Sequence, residues 1–218
     1  LATRAAVVGS NTGFRIVGSS LQPIGRFALS GSGVAAAQVG FDPQAGHVVV
    51  TERATNQILV FPVESDGSLG TPTASASVAP TPFGFQFGRT GTLVVSEAAG
   101  GQPGLSAVST YRIRPDDGLE VLAGGVATNQ TAACWIAIPN NSRFAYTTNT
   151  GSGTVTGYDL ARDGALAILD ASGETGTLPA GGAPIDAHFD RSGRLLFVLD
   201  SANDAIVRPT PNSPASSS

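Results

Sequence analysis

The chain has 218 residues, a formal net charge of −4 and 12 basic residues, all of them arginine. Because lysine is absent, Schiff-base and P-loop chemistry are excluded, and the single cysteine, Cys134, excludes an internal disulfide. No run of arginines predicts a nucleic-acid partner, and no apolar stretch is long enough to span a membrane.

Read in order, the chain consists of related units rather than of unrelated segments. Residues 11–17 and 21–24 resemble the second half of a unit, as two short strands. Three fuller units follow, and a further half unit precedes a tail rich in proline and serine. Their predicted bounds are 1–30 (half), 35–77, 80–127, 131–180 and 185–207 (half), with a disordered tail at 208–218.

A turn followed by an apolar strand marks each unit and sets the repeat length. The turns end at Gly46, Gly91, Ser142 and Gly193, so successive turns are 45, 51 and 51 residues apart. Strands of this kind repeated every 40–50 residues or so are typical of β-propeller blades. A β-sandwich does not explain so long a repeat, and a β-solenoid usually has a shorter one.

Each full unit divides into four strands, here called A to D, and the C and D strands are joined by Asp-Gly turns. These turns are Asp66-Gly67, Asp117-Gly118 and Asp163-Gly164. Asp-Gly supplies the positive φ that a tight hairpin requires. The strands are apolar on both faces, which is typical of blades packed between neighbours. The sequence therefore predicts an all-β propeller of four-stranded antiparallel blades, with about four blade equivalents.

The half units at the two ends leave two possibilities for the whole molecule. They could pair and close a four-bladed ring, or the chain could be part of a longer propeller that missing blades or a second chain complete. The second possibility is favoured, because an unclosed arc would expose apolar edges. Methionine is absent, so a signal could have been removed, and a secreted or periplasmic location is slightly favoured over a cytoplasmic one.

Polar residues recur where strand B ends and where strand A begins, and propeller topology places both at one end of the blades. The strand B positions are Glu52, Glu97, Asn149 and Asp200. The strand A positions are Gln38, Gln130, Asp186 and His188, with Cys134 beside Gln130. Binding groups commonly lie on loops of a rigid scaffold. We therefore expect a ring of acidic and amide groups at one opening.

Motifs distributed along almost the whole chain resemble the lactonase family of β-propellers, in particular a bacterial branch. They include Val49-Val-Thr-Glu52, Thr81-Pro-Phe-Gly-Phe85, Leu93-Val-Val-Ser-Glu97, Gln130-Thr-Ala-Ala-Cys-Trp135 and Ala183-Pro-Ile-Asp-Ala187. The family contains seven-bladed propellers related to 6-phosphogluconolactonase and carboxymuconate cyclase. The resemblance implies that the chain is part of a longer propeller. It also implies that the propeller binds a small lactone or organic acid.

Lactone hydrolysis needs a base for water and a donor or cation for the developing oxyanion. Glu52 or Glu97 is the predicted base, and Arg53 or His188 the predicted oxyanion group. The predicted substrate-binding residues are Gln38, Gln130, Asn149, Asp186 and Asp200. The competing interpretation makes the carboxylates loop caps and His188 a structural residue. No cofactor is expected, although the oxygen atoms at the strand B positions could hold Ca²⁺.

The sequence is compatible with two functions. The chain could be an enzyme that hydrolyses or forms a lactone at the channel mouth. It could instead be a non-catalytic propeller that binds a ligand, a glycan or a protein through its loop-rich end. A catalytic site requires a closed pocket with a carboxylate and a cationic partner, whereas a binding platform requires a broad exposed surface.

Overall fold

A computed structural model of the chain describes residues 9–211, and within them the secondary structure is almost entirely β. Nineteen strands and one short 3₁₀ turn at Ala99–Gly101 occur in this part of the chain. The strands form five antiparallel sheets, of which three are complete blades and two, at the ends, are partial ones. The predicted all-β propeller is thereby confirmed.

The sheets follow the chain order, except that the last strand of the chain returns from blade 4 to the edge of blade 3. The first sheet pairs β1 (Ser10–Val17) with β2 (Ser20–Ala28). Blade 1 contains β3 (Ala36–Phe41), β4 (His47–Glu52), β5 (Gln57–Pro62) and β6 (Thr73–Ala76). Blade 2 contains β7 (Pro82–Phe87), β8 (Leu93–Glu97), β9 (Ala107–Ile113) and β10 (Leu119–Ala127).

In blade 3 the outer strand is divided, and blade 4 has only three strands. Blade 3 contains β11 (Ala133–Ala137), β12 (Phe144–Asn149), β13 (Thr154–Leu160), and the short outer strands β14 (Leu166–Ile168) and β15 (Gly176–Thr177). Blade 4 contains β16 (Pro184–Phe189), β17 (Leu196–Asp200) and β18 (Ala205–Val207). The final strand is β19 (Thr210–Pro211).

Blades pack face to face, and their first strands lie side by side. The neighbouring pairs β3 and β7, β7 and β11, and β11 and β16 are all in contact. Strand A of each blade therefore lies on the inner side of the arc. This arrangement excludes the sandwich and the solenoid, because neither stacks complete antiparallel sheets along their first strands.

The core lies between blades rather than within a single sheet. One buried cluster joins Val49, Ile58 and Val60 of blade 1 to Phe85, Leu93, Val95 and Tyr111 of blade 2. A second cluster joins Val94 and Val108 of blade 2 to apolar residues of blade 3, among them Ile136 and Tyr158. Val94 and Val95 are both fully buried, so both faces of β8 are covered. This confirms the expectation from the doubly apolar strands.

In three blades a hydroxyl near the end of strand B accepts a hydrogen bond from an amide of strand A that the regular ladder leaves unpaired. The ladder between strands A and B shifts register near the start of strand A in all four blades. In three blades a hydroxyl accepts the freed amide, as Gln38 N to Thr51 Oγ1 (3.3 Å), Gly84 N to Ser96 Oγ (3.0 Å) and Trp135 N to Thr148 Oγ1 (3.1 Å). Thr51 and Ser96 also donate to strand A of the next blade, at Phe83 O and Cys134 O.

The two ends of the arc present apolar side chains to solvent. At the first end they are Phe14, Ile16, Leu21, Val39 and Phe41, each at least half exposed. At the last end they are Phe197, Leu199 and Ile206, of which Ile206 is 73% exposed. Positions of this kind are covered in the complete blades, where Val49 and Val60 are fully buried. Exposed apolar patches of this type mark interaction surfaces.

The chain forms a short strand just before the end of the described residues, and the disorder of the tail 208–218 stays a prediction. Thr210–Pro211 (β19) pairs antiparallel with β15, at the outer edge of blade 3. The divided outer strand of that blade leaves β15 with a free edge, and proline is tolerated on an edge strand because its missing amide is not needed there. Residues 1–8 and 212–218, which include the start of the first predicted half unit, lie outside the described residues.

Candidate functional site

The predicted polar positions at the ends of strand B occupy the same place in successive blades. Glu52, Glu97, Asn149 and Asp200 are the last residues of β4, β8, β12 and β17. Since the sheets are antiparallel, the connections from B to C and from D to A meet at this end of every blade, which is here called the loop end. All four side chains are fully buried, so what each contacts decides what it can do.

Through hydrogen bonds, Glu52 links the segment that leads into blade 1 to the loop that follows strand B of that blade. Its Oε1 accepts the Ser30 amide at 3.0 Å, and its Oε2 accepts the hydroxyls of Ser30 and Thr55, the latter at 2.6 Å. Both carboxylate oxygens are therefore occupied by protein donors. These bonds fit the loop-cap interpretation, and the role of Glu52 as a base stays a prediction.

Glu97 has the same position in blade 2 and a more enclosed setting. Its Oε1 accepts the Ala79 amide and the Tyr111 hydroxyl, both at 3.0 Å, and its Oε2 accepts the Ser109 hydroxyl at 2.7 Å. Burial raises the pKa of Glu97 above its ordinary value, and these hydrogen bonds offset only part of that effect. A carboxylate with a raised pKa suits a general base, although its full burial keeps it from solvent.

The raised pKa of Glu97 predicts a pH-dependent cost to stability. The folded protein binds more protons than the unfolded chain from about pH 4.5 up to the raised pKa, so stability falls as pH rises through that window. Glu97→Gln has no such titration. We expect the free energy of unfolding of the wild type to fall relative to that of Glu97→Gln between pH 4.5 and 8, measured by urea unfolding.

The control for that measurement is Glu64→Gln, because Glu64 is exposed. If the free energies of unfolding of the wild type and Glu97→Gln instead change in parallel with pH, burial of the Glu97 charge carries no cost and the pKa of Glu97 is not raised.

Asp200 and Asn149 complete the set in different ways. Asp200 accepts the amides of Ala183 (2.9 Å) and Ala202 (3.2 Å) and the Asn203 side-chain amide (2.8 Å), and hydrogen bonding of this kind lowers the pKa of Asp200. Asn149 donates to two threonine hydroxyls of blade 3, while its buried Oδ1 has no hydrogen-bond partner among residues 9–211. Asn149 thus keeps one unused acceptor.

Gln38 and Gln130, which the sequence predicts as substrate ligands, both form hydrogen bonds within the scaffold. The Gln38 amide binds the Phe85 backbone in both directions, each at 2.8 Å, and so joins strand A of blade 1 to strand A of blade 2. Gln130 is 7% exposed, donates to Ser172 O at 2.9 Å and accepts the Thr154 hydroxyl at 3.1 Å. Their binding of a substrate stays a prediction.

Arg53 and two aromatic residues form an accessible group at the loop end, here called the mouth cluster (Arg53, Phe83 and Trp135). The exposed Arg53 guanidinium lies 5.0 Å from the Phe83 ring centroid, and its Nε donates to Ala35 O at 3.3 Å. The Phe83 and Trp135 rings meet edge to face, with centroids 5.7 Å apart. Three successive blades thereby contribute to a surface on which a cation lies over one aromatic ring and a second ring packs against the first.

Cys134 lies beside this cluster, half-buried, in the strand that carries Trp135. The Thr150 hydroxyl is 2.8 Å from Cys134 Sγ and 2.6 Å from Pro184 O, so it links blade 3 to blade 4. Burial raises the pKa of the Cys134 thiol, which disfavours the nucleophilic thiolate. These contacts fit a packing role for this cysteine.

Asp186 and His188 lie on a different surface. Cross-strand pairing sets Asp186 opposite Leu199 and His188 opposite Phe197, so these four side chains share one face of blade 4. Phe189, on the other face, contacts Tyr146 of blade 3. Asp186 and His188 therefore face away from blade 3, and no described contact joins them to Glu52, Glu97 or Arg53. Their action at the same site stays a prediction.

The aromatic members of the site were missed because no sequence pattern distinguishes them. Phe83 reads as an ordinary residue of strand A, and Trp135 as packing between blades. Only the fold shows that Arg53, 30 residues before Phe83 in the chain, stacks on it.

Within residues 9–211 no three His, Cys, Asp or Glu side chains group as metal ligands, and calcium at the strand B positions stays a prediction. No helix in this part of the chain could cross a membrane.

Comparison with solved structures places the fold among known propellers. The periplasmic gluconolactonase of Pseudomonas aeruginosa superposes with a TM-score of 0.73 at 20% identity, over 99% of this chain and 63% of that one. The chain has the β-propeller fold of this protein. A protein from Lactobacillus plantarum gives a TM-score of 0.71 at 13% identity, with coverages of 96% and 66%.

A gluconolactonase of Xanthomonas campestris gives a TM-score of 0.52 at 20% identity, with coverages of 87% and 66%. The chain thus spans slightly less than two thirds of the length of these three proteins. No protein-family model and no curated protein sequence matches it. The predicted resemblance to lactonase propellers is confirmed at the level of fold.

Proposed function

We propose that the chain binds a lactone of a sugar acid or a related organic acid at the mouth cluster and hydrolyses it. The observation that carries this proposal is the exposed Arg53 guanidinium held over Phe83, next to Trp135, at the loop end of three successive blades. A lactone ring offers an apolar face to the aromatic rings and a carbonyl oxygen to the guanidinium. The gluconolactonases among the structural neighbours support the same substrate class.

The reaction requires water to attack the lactone carbonyl carbon, after which the ring C–O bond breaks and a hydroxy acid is released. Arg53 would stabilise the negative charge that develops on the carbonyl oxygen and then the product carboxylate. A carboxylate would take the proton from water and pass it to the departing ring oxygen, and the proposed bases are Glu52, adjacent to Arg53, and Glu97. For Glu52 to act, one of its hydroxyl donors, such as Thr55, would have to turn away.

Replacing Arg53 by glutamine tests the proposal most directly. Loss of one group that stabilises an oxyanion typically lowers turnover by a factor of about 100 or more, so we expect that fall in kcat/KM for Arg53→Gln. Hydrolysis of glucono-δ-lactone, followed with a pH indicator and corrected for spontaneous hydrolysis, is the measurement. Arg112→Gln is the matched control, since Arg112 is exposed and paired with Glu120 at 3.2 Å.

Separate variants test which glutamate, Glu52 or Glu97, acts as the general base. Glu52→Gln and Glu97→Gln keep the shape of the side chain, so unfolding curves can establish that each remains folded. Turnover that is lost in one of them identifies the base. Turnover that is unchanged in both rejects the assignment of either glutamate, while a loss in Arg53→Gln would still support the mouth cluster.

A second candidate function is binding without catalysis. It is favoured by one observation: both oxygens of Glu52 and of Glu97 already accept hydrogen bonds from protein donors. In that case the mouth cluster would hold an organic acid through Arg53. Calorimetric binding of gluconate that Arg53→Gln weakens, together with no lactone turnover in the wild type, would favour this function over hydrolysis.

We further propose that the exposed apolar faces at the two ends of the arc are covered by additional blades. The faces that carry Phe41 and Phe197 have the character of the buried faces between complete blades. A second chain is the other occupant, and light scattering of the purified chain distinguishes a dimer from a monomer. The secreted or periplasmic location is likewise a proposal, supported by the periplasmic neighbour.

A further inference from the structure

A cleft at the other end of the blades, remote from the mouth cluster, collects positive charge. It lies between blades 2 and 3, where the turns from A to B and from C to D meet, and its volume is about 730 Å³. Three of its lining residues are Arg89, Arg143 and Arg162. One carboxylate, that of Asp159, also lines it, so the lining carries a net positive charge on a chain whose net charge is −4.

The three arginines come from three different turns, which the fold holds together. Arg89 lies in the A–B turn of blade 2, Arg143 follows the A–B turn of blade 3, and Arg162 lies in the C–D turn of blade 3. The Arg89 amide donates to Ser142 Oγ at 3.0 Å, which joins the two A–B turns directly. Buried Leu160 forms part of the cleft and anchors the third segment.

The charged groups of these arginines are available for a ligand. Elsewhere in the described chain Arg112 pairs with Glu120, and Arg114 makes two bonds to Asp116 at 3.0 and 3.1 Å. No ion pair or side-chain hydrogen bond in residues 9–211 engages the guanidinium of Arg89, Arg143 or Arg162. Arg143 lies 5.7 Å from the Phe144 ring centroid, a stacking contact that leaves its in-plane N–H donors for other partners.

The repeat supplies an internal control, because the junction between blades 1 and 2 has the same turns. In the alignment of the turns, the positions of Arg89, Arg143 and Arg162 correspond to Gln44, Thr92 and Asp116. None of these is basic, and the blades still pack at that junction. Three arginines are therefore not needed to hold two blades together.

We propose that this cleft is a binding site for a phosphate-bearing small molecule. Arginine presents planar donor forks that match phosphate oxygens, and three of them suit a dianionic or more highly charged group. The hydroxyl of Thr90 and the side-chain amide of Asn141 add neutral donors at the same cleft. The volume is in the range of ligand pockets, and therefore fits a sugar phosphate or a mononucleotide rather than an isolated ion.

Titration of the wild-type chain with pyrophosphate, followed by calorimetry at low salt, tests the site. Each of Arg89→Gln, Arg143→Gln and Arg162→Gln should weaken the Kd about tenfold, the effect of losing one charge-assisted hydrogen bond. Arg112→Gln, which removes an exposed arginine outside the cleft, should leave the Kd unchanged. Glucose 6-phosphate should bind to the same arginines, and glucose should not.

Several results would overturn the assignment. One is the absence of pyrophosphate binding at millimolar concentration in 20 mM salt. Another is equal weakening by Arg112→Gln and by the cleft variants, which would show attraction by overall charge. An acidic peptide that binds more tightly than either phosphate compound would exclude the small-molecule class. Arg53→Gln should leave phosphate binding intact, so this proposal and that of a lactone site fail independently.

Discussion

Leu93→Ala is expected to lower the free energy of unfolding by about 3 kcal/mol, the middle of the range for a buried leucine. Leu93 is fully buried in β8 and belongs to the cluster that joins blade 1 to blade 2. The truncation leaves a cavity in the cluster that contains Val60 of blade 1 and Tyr111 of blade 2. Because the cluster is shared, the loss is expected to destabilise both blades together.

Urea unfolding measures the loss, and hydrogen exchange locates it. The matched control is Leu105→Ala, because Leu105 is 59% exposed and its truncation should change stability by no more than about 0.5 kcal/mol. Amides of β4 and β5 in blade 1 should exchange faster in Leu93→Ala, as well as those of β8 and β9. Faster exchange confined to blade 2 would mean that each blade is stable on its own, contrary to a core shared between blades.

The architecture could be predicted from the sequence because the signals that specify it are local and repeated. A turn recurs every 45 to 51 residues, each turn precedes a strand apolar on both faces, and blades 1 to 3 also have a tight C–D turn. Val94 and Val95 illustrate the second signal, since consecutive apolar residues in a strand point to opposite faces and both faces of β8 are buried. The divided outer strand of blade 3, with β19 pairing to it, had no such signal.

The functional groups were harder to predict because their partners lie in other segments. The position of Glu97 at the end of strand B follows from the repeat, but its donors come from Ala79, 18 residues earlier, and Tyr111, 14 residues later. The sequence therefore indicates where the carboxylate lies and not whether it is free. Asp186 and His188 alternate along a strand, yet that strand turns them away from blade 3.

The three arginines of the cleft between blades 2 and 3 also carry no signal in the sequence. Arg89, Arg143 and Arg162 are separated by 54 and 19 residues, so no basic run marks them. They meet because the turns of adjacent blades stack at one end. The mouth cluster arises in the same way at the other end, where Arg53 of one blade reaches Phe83 of the next. Side chains from successive blades thus assemble both proposed sites.

Gly84→Ala is expected to lower the free energy of unfolding by about 3 kcal/mol, the upper part of the usual range for overpacking. Gly84 lies in β7, against strand A of blade 3. A Cβ atom there would lie 2.5 Å from Cys134 O and 2.8 Å from Trp135 Cα. Both atoms belong to the backbone, so no side-chain rotation relieves the contact and the two inner strands must move apart.

Two other glycines provide a graded comparison for this variant. Gly40→Ala meets the Phe85 ring at 3.1 Å, where a side chain can shift, so its cost should be smaller. Gly31→Ala has no atom within 4 Å and should be close to neutral. Urea unfolding followed by the fluorescence of Trp135, the single tryptophan, measures all three. If Gly84→Ala is as stable as Gly31→Ala, the inner strands do not approach closely enough to support the mouth cluster.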